Sequence, residues 1–139
     1  MDTHRGRIGF KRGAVIALRS CVAFVLALAM VPLVNEAGGQ LGDAIGLASG
    51  GDQRLSWDLA WVLIAGVAAN WLVVKLAPCA RRPHAVFLFV VMLAIHVQAV
   101  RMLGNDWPRW FSAGLLLCPP LQTWLGAAWA LRQPRARQA

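Results

Sequence analysis

Within the apolar stretch VVMLAIHVQAVRML, Val90 to Leu103, stand three side chains that can do chemistry: His96, Gln98 and Arg101. A histidine titrates near neutral pH and can ligate a metal or haem. A primary amide both donates and accepts hydrogen bonds, and a guanidinium carries a fixed charge. Placed in lipid, such groups are costly and mark candidate functional sites. His96, Gln98 and Asn70 are therefore candidates for a ligand site or a polar path, joined by the midplane thiol of Cys118.

A metal or haem centre needs more ligands than His96 alone supplies. His4 and His84 fall outside the apolar runs, so neither joins His96 at the midplane, and haem ligation would require a second copy of the chain. The sequence points to no cofactor and no metal. It also lacks HExxH, a Ser/His/Asp set and paired carboxylates within one plausible site, so no catalytic residue is assigned.

The same residues have a structural use. Cys118 is followed by Pro119 and Pro120. A proline inside a helix removes the N–H that bonds the carbonyl four residues back. The pair therefore frees the carbonyls of Leu115 and Leu116, which in lipid must find partners. His96 and Gln98 are donors at a suitable depth on the preceding span. About 200° separates them around a helix at 100° per residue. That helix is then either contacted on two sides, as a central helix would be, or leaves one polar group facing lipid. Arg19 and Asn70 sit at similar depth on the first two spans, where Arg19 either bonds Asn70 or snorkels to the headgroups.

The elements that must carry these residues follow from composition. Of 139 residues, 58% are hydrophobic and 14% charged, against roughly 25% charged in ordinary globular chains. A helix needs about 20 apolar residues to cross a bilayer. Four runs qualify: 13–34, 57–77, 85–103 and 110–131. None alternates apolar with polar residues as barrel strands do. The expected fold is an all-α, integral-membrane four-helix transmembrane bundle forming a single domain. Residues 1–12 and 132–139 read as basic tails. Residues 35–56, with six glycines, read as an outer, acidic, Gly-rich loop holding one turn of interfacial helix. Ala65, Gly66, Ala69 and Asn70 read as a packing face, because small residues let helices approach closely.

Lysine and arginine set the orientation. Eleven of the 14 lie in the N-terminal region, the middle connection and the C-terminal tail; only Arg54, Arg101 and Arg109 lie on the other side, with five of the six acids. Both termini are therefore expected in the cytoplasm. Trp57, Trp61, Trp107 and Trp110 fall at the outer boundary, and Trp124 and Trp129 toward the inner one, as membrane-interface tryptophans do. A cleaved signal peptide over residues 1–37 is the rival reading, but its basic region would be unusually long and NEA is a poor cleavage site.

The net charge of +8 does not imply nucleic acid, because the basic residues cluster at span ends and no nucleic-acid motif occurs. Cys21, Cys79 and Cys118 are far apart and should be free thiols. Twelve arginines to two lysines, with abundant alanine, suggest a GC-rich bacterial genome and hence the inner membrane. The functional expectation is a non-enzymatic membrane protein. It would be an accessory or partner subunit, in a homo-oligomer or larger membrane complex, or a binder of a small apolar ligand within the bundle. The alternative is an oligomeric transporter with a polar path through His96, Gln98 and Asn70.

Overall fold

The structure is a computed structural model that describes residues 3–104 and 106–133, with side chains from 13 onward. Its described residues form four helices in chain order: α1 (Thr3–Ala44), α2 (Asp52–Leu76), α3 (Arg81–Leu103) and α4 (Arg109–Arg132). Three of them, counting α1 from Gly13, are long and apolar enough to cross a membrane. This is a helical membrane protein. In α4, Pro119, Pro120, Gln122 and Thr123 dilute the apolar content.

The largest departure from expectation is in residues 35–56. The helix does not stop near Val34 but runs ten residues further, to Ala44, and α2 begins at Asp52. Only residues 45–51 connect them. The glycines suggested a loop because glycine weakens an isolated helix. Here they instead provide close approach between helices. A Cβ on Gly38 would collide with the Trp61 ring, and one on Gly42 would fall 3.0 Å from Trp57 Nε1. The two indoles of α2 thus lie on bare helix backbone, and Trp57 Nε1 donates to Gly38 O at 2.8 Å. The glycine that ends α1 does use its conformational freedom: Gly46 has φ +77°. Its N–H bonds Asp43 O at 3.0 Å and the Leu47 N–H bonds Gly42 O at 3.0 Å. This is a Schellman closure that ends α1 on a left-handed residue.

α2 is the central helix: it packs on α1, α3 and α4, while α3 packs also on α4. Sequence reasoning had considered α3 for that place. α2 qualifies because Ala65, Gly66, Ala69, Asn70, Val73 and Val74 are all buried, giving it narrow faces on more than one side. One apolar cluster joins Ala23 and Ala27 of α1 to Val73, Val74, Leu88, Met92 and Ala130. A second joins Leu55, Phe111 and Leu115, with Val100 and Leu103 against them. α4 therefore touches its neighbours from one end to the other.

Candidate functional site

His96 is buried, but its ring is bound to its own helix: Nδ1 lies 2.8 Å from Met92 O. A carbonyl can only accept, so Nδ1 carries the hydrogen. Gln98 is exposed, on the side of α3 away from the buried Leu88, Met92 and His96. The 200° offset is thus resolved by leaving the amide facing outward. Neither residue supplies the donor expected for the carbonyls of Leu115 and Leu116. Pro119 is buried and Pro120 exposed, so the pair splits between the interior and the outer face of α4. Cys118 is buried, and all three cysteines are free.

The amide that ties α4 to the bundle is Gln122, which sequence reasoning passed over. It is fully buried, and its Nε2 donates to Val62 O of α2 at 2.9 Å. It reaches that carbonyl because Gly66, one turn on, has no side chain: a Cβ there would overlap the Gln122 carboxamide. The arrangement is reciprocal. Asn70, four residues after Gly66, is fully buried and donates Nδ2 to Gly66 O at 2.9 Å. Opposite it on α4 is Gly126, four residues after Gln122, where a Cβ would fall 2.7 Å from Asn70 Cβ. Each glycine is covered by the other helix: Gly66 by the Gln122 carboxamide, Gly126 by the α2 backbone and the Asn70 Cβ. The Asn70 Oδ1 and Gln122 Oε1 acceptors are buried and unpartnered. A signal existed in the sequence: Gly66 and Asn70 on one helix are mirrored by Gln122 and Gly126 on another, at the same spacing.

Arg19 is exposed, and Asn70 bonds within α2, so the Arg19–Asn70 contact does not form. Arg54, at the other end, is the hub of the α1–α2 junction. It pairs with Asp43 and with Asp58, 3.0 Å away, and donates to Gly39 O at 3.3 Å. Among the described residues, no group of three or more His, Cys, Asp or Glu could hold a metal ion.

No protein-family model, curated protein or solved structure matches the chain.

A cleft of binding-site size with an almost wholly apolar lining lies on the flank of the bundle. It has a volume of about 610 Å³ and runs between α1 and α3, lined by Ser20, Cys21, Phe24, Val25, His84 and Phe87 among others. Its floor is shallow on α1 because Ala17, Ser20 and Cys21 are small. Its wall is aromatic: Phe24 meets Phe87 edge to face, with centroids 4.8 Å apart, and stacks on the His84 ring at 5.4 Å. One polar contact closes it, His84 Nε2 to Ser20 Oγ at 3.0 Å, while His84 Nδ1 lies 3.1 Å from Ala80 O. With Nδ1 donating to that carbonyl, a neutral His84 accepts at Nε2 from the serine hydroxyl. Such a cleft can hold an apolar chain and orient a polar group at one end.

Proposed function

We propose that this chain is a small, non-catalytic inner-membrane protein that crosses four times, with both termini in the cytoplasm, and binds an apolar ligand as an accessory component. The observation that carries the reading is the apolar α1–α3 cleft, whose volume falls within the roughly 300–1,000 Å³ of ordinary ligand sites. On this reading the site is lateral, on the flank, where the sequence alone suggested a ligand within the bundle. A fourth crossing is supported by α4 itself. It has 24 residues and joins one apolar cluster through Phe111 and Leu115 and the other through Ala130, alongside α2. The cytoplasmic termini are supported by the lysine and arginine bias.

The transport alternative has less support. A polar path through His96, Gln98 and Asn70 needs the three to line one passage, but Gln98 faces out while the other two face in. Native mass spectrometry on protein extracted gently from membranes tests the binding reading. A reproducible bound mass should disappear in Cys21→Phe, which fills the cleft, and persist in His96→Ala. A bound mass indifferent to Cys21→Phe would refute it.

A further inference from the structure

The polar end of the cleft has an unusual electrostatic character. α3 starts there with Arg81-Arg82-Pro83-His84. Its N-cap, Ala80, offers no side-chain acceptor, and its first turn contains no acidic residue. A helix N-terminus already carries partial positive charge, and cations there are unfavourable. Two arginines compound it. Arg19 precedes Ser20 on α1, the residue that meets His84, so the backbone that carries a third arginine stands at the same level, with the side chain exposed. The described acids, Glu36, Asp43, Asp52, Asp58 and Asp106, all lie toward the opposite ends of their helices or in the connection beyond. None of these described acids stands near enough to neutralise this cluster. The buried Nε of Arg81 has no hydrogen-bond partner. At the other end of the molecule the arrangement is different, since Arg54 is satisfied by Asp43 and Asp58. Among the described residues, charge is balanced at one end of the bundle and left open at the other, where α3 begins beside the apolar cleft.

We propose that the α1–α3 cleft holds one acyl chain of an anionic phospholipid, whose phosphate sits against Arg81, Arg82 and Arg19. This rests on the reading of the cleft as an apolar-ligand site and names its ligand. The cleft runs from Ala17 to Val25 of α1, about 12 Å at 1.5 Å per residue. It therefore grips the part of a chain nearest the headgroup. The phosphate then meets guanidinium groups and the uncapped N–H groups of α3, a setting that favours anions. Ser20 and His84 stand where chain and headgroup join. A zwitterionic lipid fills the same cleft but brings its own cation to the arginines, so it binds less well.

The test is a competition. Full-length protein is exchanged into mixed micelles holding equal phosphatidylglycerol and phosphatidylcholine of matched chain length, and the lipid retained by the folded protein is read by native mass spectrometry. The expected result is one phosphatidylglycerol per chain, strongly preferred. In Arg81→Gln/Arg82→Gln the preference should fall about thirtyfold, equivalent to roughly 2 kcal/mol at about 1 kcal/mol per basic residue near the surface. Cys21→Phe should remove both lipids alike. Circular dichroism verifies the bundle in each variant. If the double arginine variant does not fold, a salt series on the wild type decides, because a headgroup preference of this origin shrinks as salt rises. A salt-independent preference, equal retention of the two lipids, or a second protein chain in the cleft overturns the proposal. Equal retention that is still lost in Cys21→Phe leaves the apolar-ligand reading standing. Retention unaffected by Cys21→Phe overturns both.

Discussion

Adding a single methyl group at Gly66 should test whether the α2–α4 contact is the interlock described above. In Gly66→Ala the new Cβ occupies the space of the Gln122 carboxamide. Alanine alone stabilises a helix interior by about 1 kcal/mol relative to glycine. Against that, the amide must move, which breaks its bond to Val62 O, worth about 0.6 kcal/mol by the average for membrane helices. The displaced Nε2 is left without a partner in a buried site, at about 1–3 kcal/mol. Any residual overpacking adds about 1–3 kcal/mol. The net expectation is destabilisation of about 1.5–5.5 kcal/mol. Gly13→Ala is the control. Gly13 lies on an exposed part of α1 with nothing within 4 Å of its would-be Cβ, so the same change there should stabilise by about 0.5–1 kcal/mol.

The decisive comparison is Gly66→Ala made in a Gln122→Ala background. With the carboxamide gone the methyl has room, so the two changes together should cost less than their sum by about 1.5–3 kcal/mol, within the range seen for residues in contact. Unfolding in mixed micelles gives these energies. Tryptophan fluorescence reports the relevant separation, because Trp71 of α2 and Trp129 of α4 have ring centroids 5.7 Å apart. Additivity within about 0.5 kcal/mol would mean that Gly66 and Gln122 do not meet, and the interlock would be wrong.

Other expectations are simpler to check. Gln98→Leu should change stability by less than about 0.5 kcal/mol, as surface substitutions do, since Gln98 is exposed on α3; a larger loss in micelle unfolding would place it in a contact. Arg54→Gln should loosen the end of α1 by removing its links to Asp43, Asp58 and Gly39. Hydrogen exchange should then rise over residues 38–44 and not over α4. A water-soluble maleimide should label Cys79, which is exposed in the α2–α3 connection, and leave the buried Cys118 unlabelled until the bundle is unfolded.

The helices were legible because three of the four carry unbroken apolar runs, and α2, α3 and α4 begin and end within five residues of the expected limits. The end of α1 was not legible, for a definite reason. Gly38, Gly39 and Gly42 look like a loop when the chain is read as a line, because their value depends on Arg54, Trp57 and Trp61 arriving from a different helix. The polar residues show the same limitation. Periodicity separated His96 from Gln98 correctly, but it could not say which of the two faces inward. Asn70 was recognised beside small residues. Gln122 was masked by the conspicuous Pro119-Pro120 preceding it, although its partner glycine was already singled out.

The buried polar groups also explain why the bundle should hold one arrangement. Helices in lipid gain little from burying apolar surface, so small residues and hydrogen bonds must select the partner. Most apolar faces here could slide on one another: Val73, Leu88, Met92 and Ala130 offer no directional contact. Gln122 over Gly66 and the α2 backbone at Asn70 against Gly126 permit one register, because a shift of one residue puts the Gln122 carboxamide, or the α2 backbone, against a side chain instead of a glycine. Trp57 and Trp61 on the α1 glycines, with Arg54 between Asp43 and Asp58, do the same for α1 against α2. α3 has fewer such ties. Its buried histidine bonds Met92 of α3 itself, and among the described residues its one polar link to α1 is the His84–Ser20 contact at the cleft. The α1–α3 seam is thus the side of the bundle least fixed by its own polar contacts, and the side where a lipid can enter without breaking the α2–α4 or α1–α2 register.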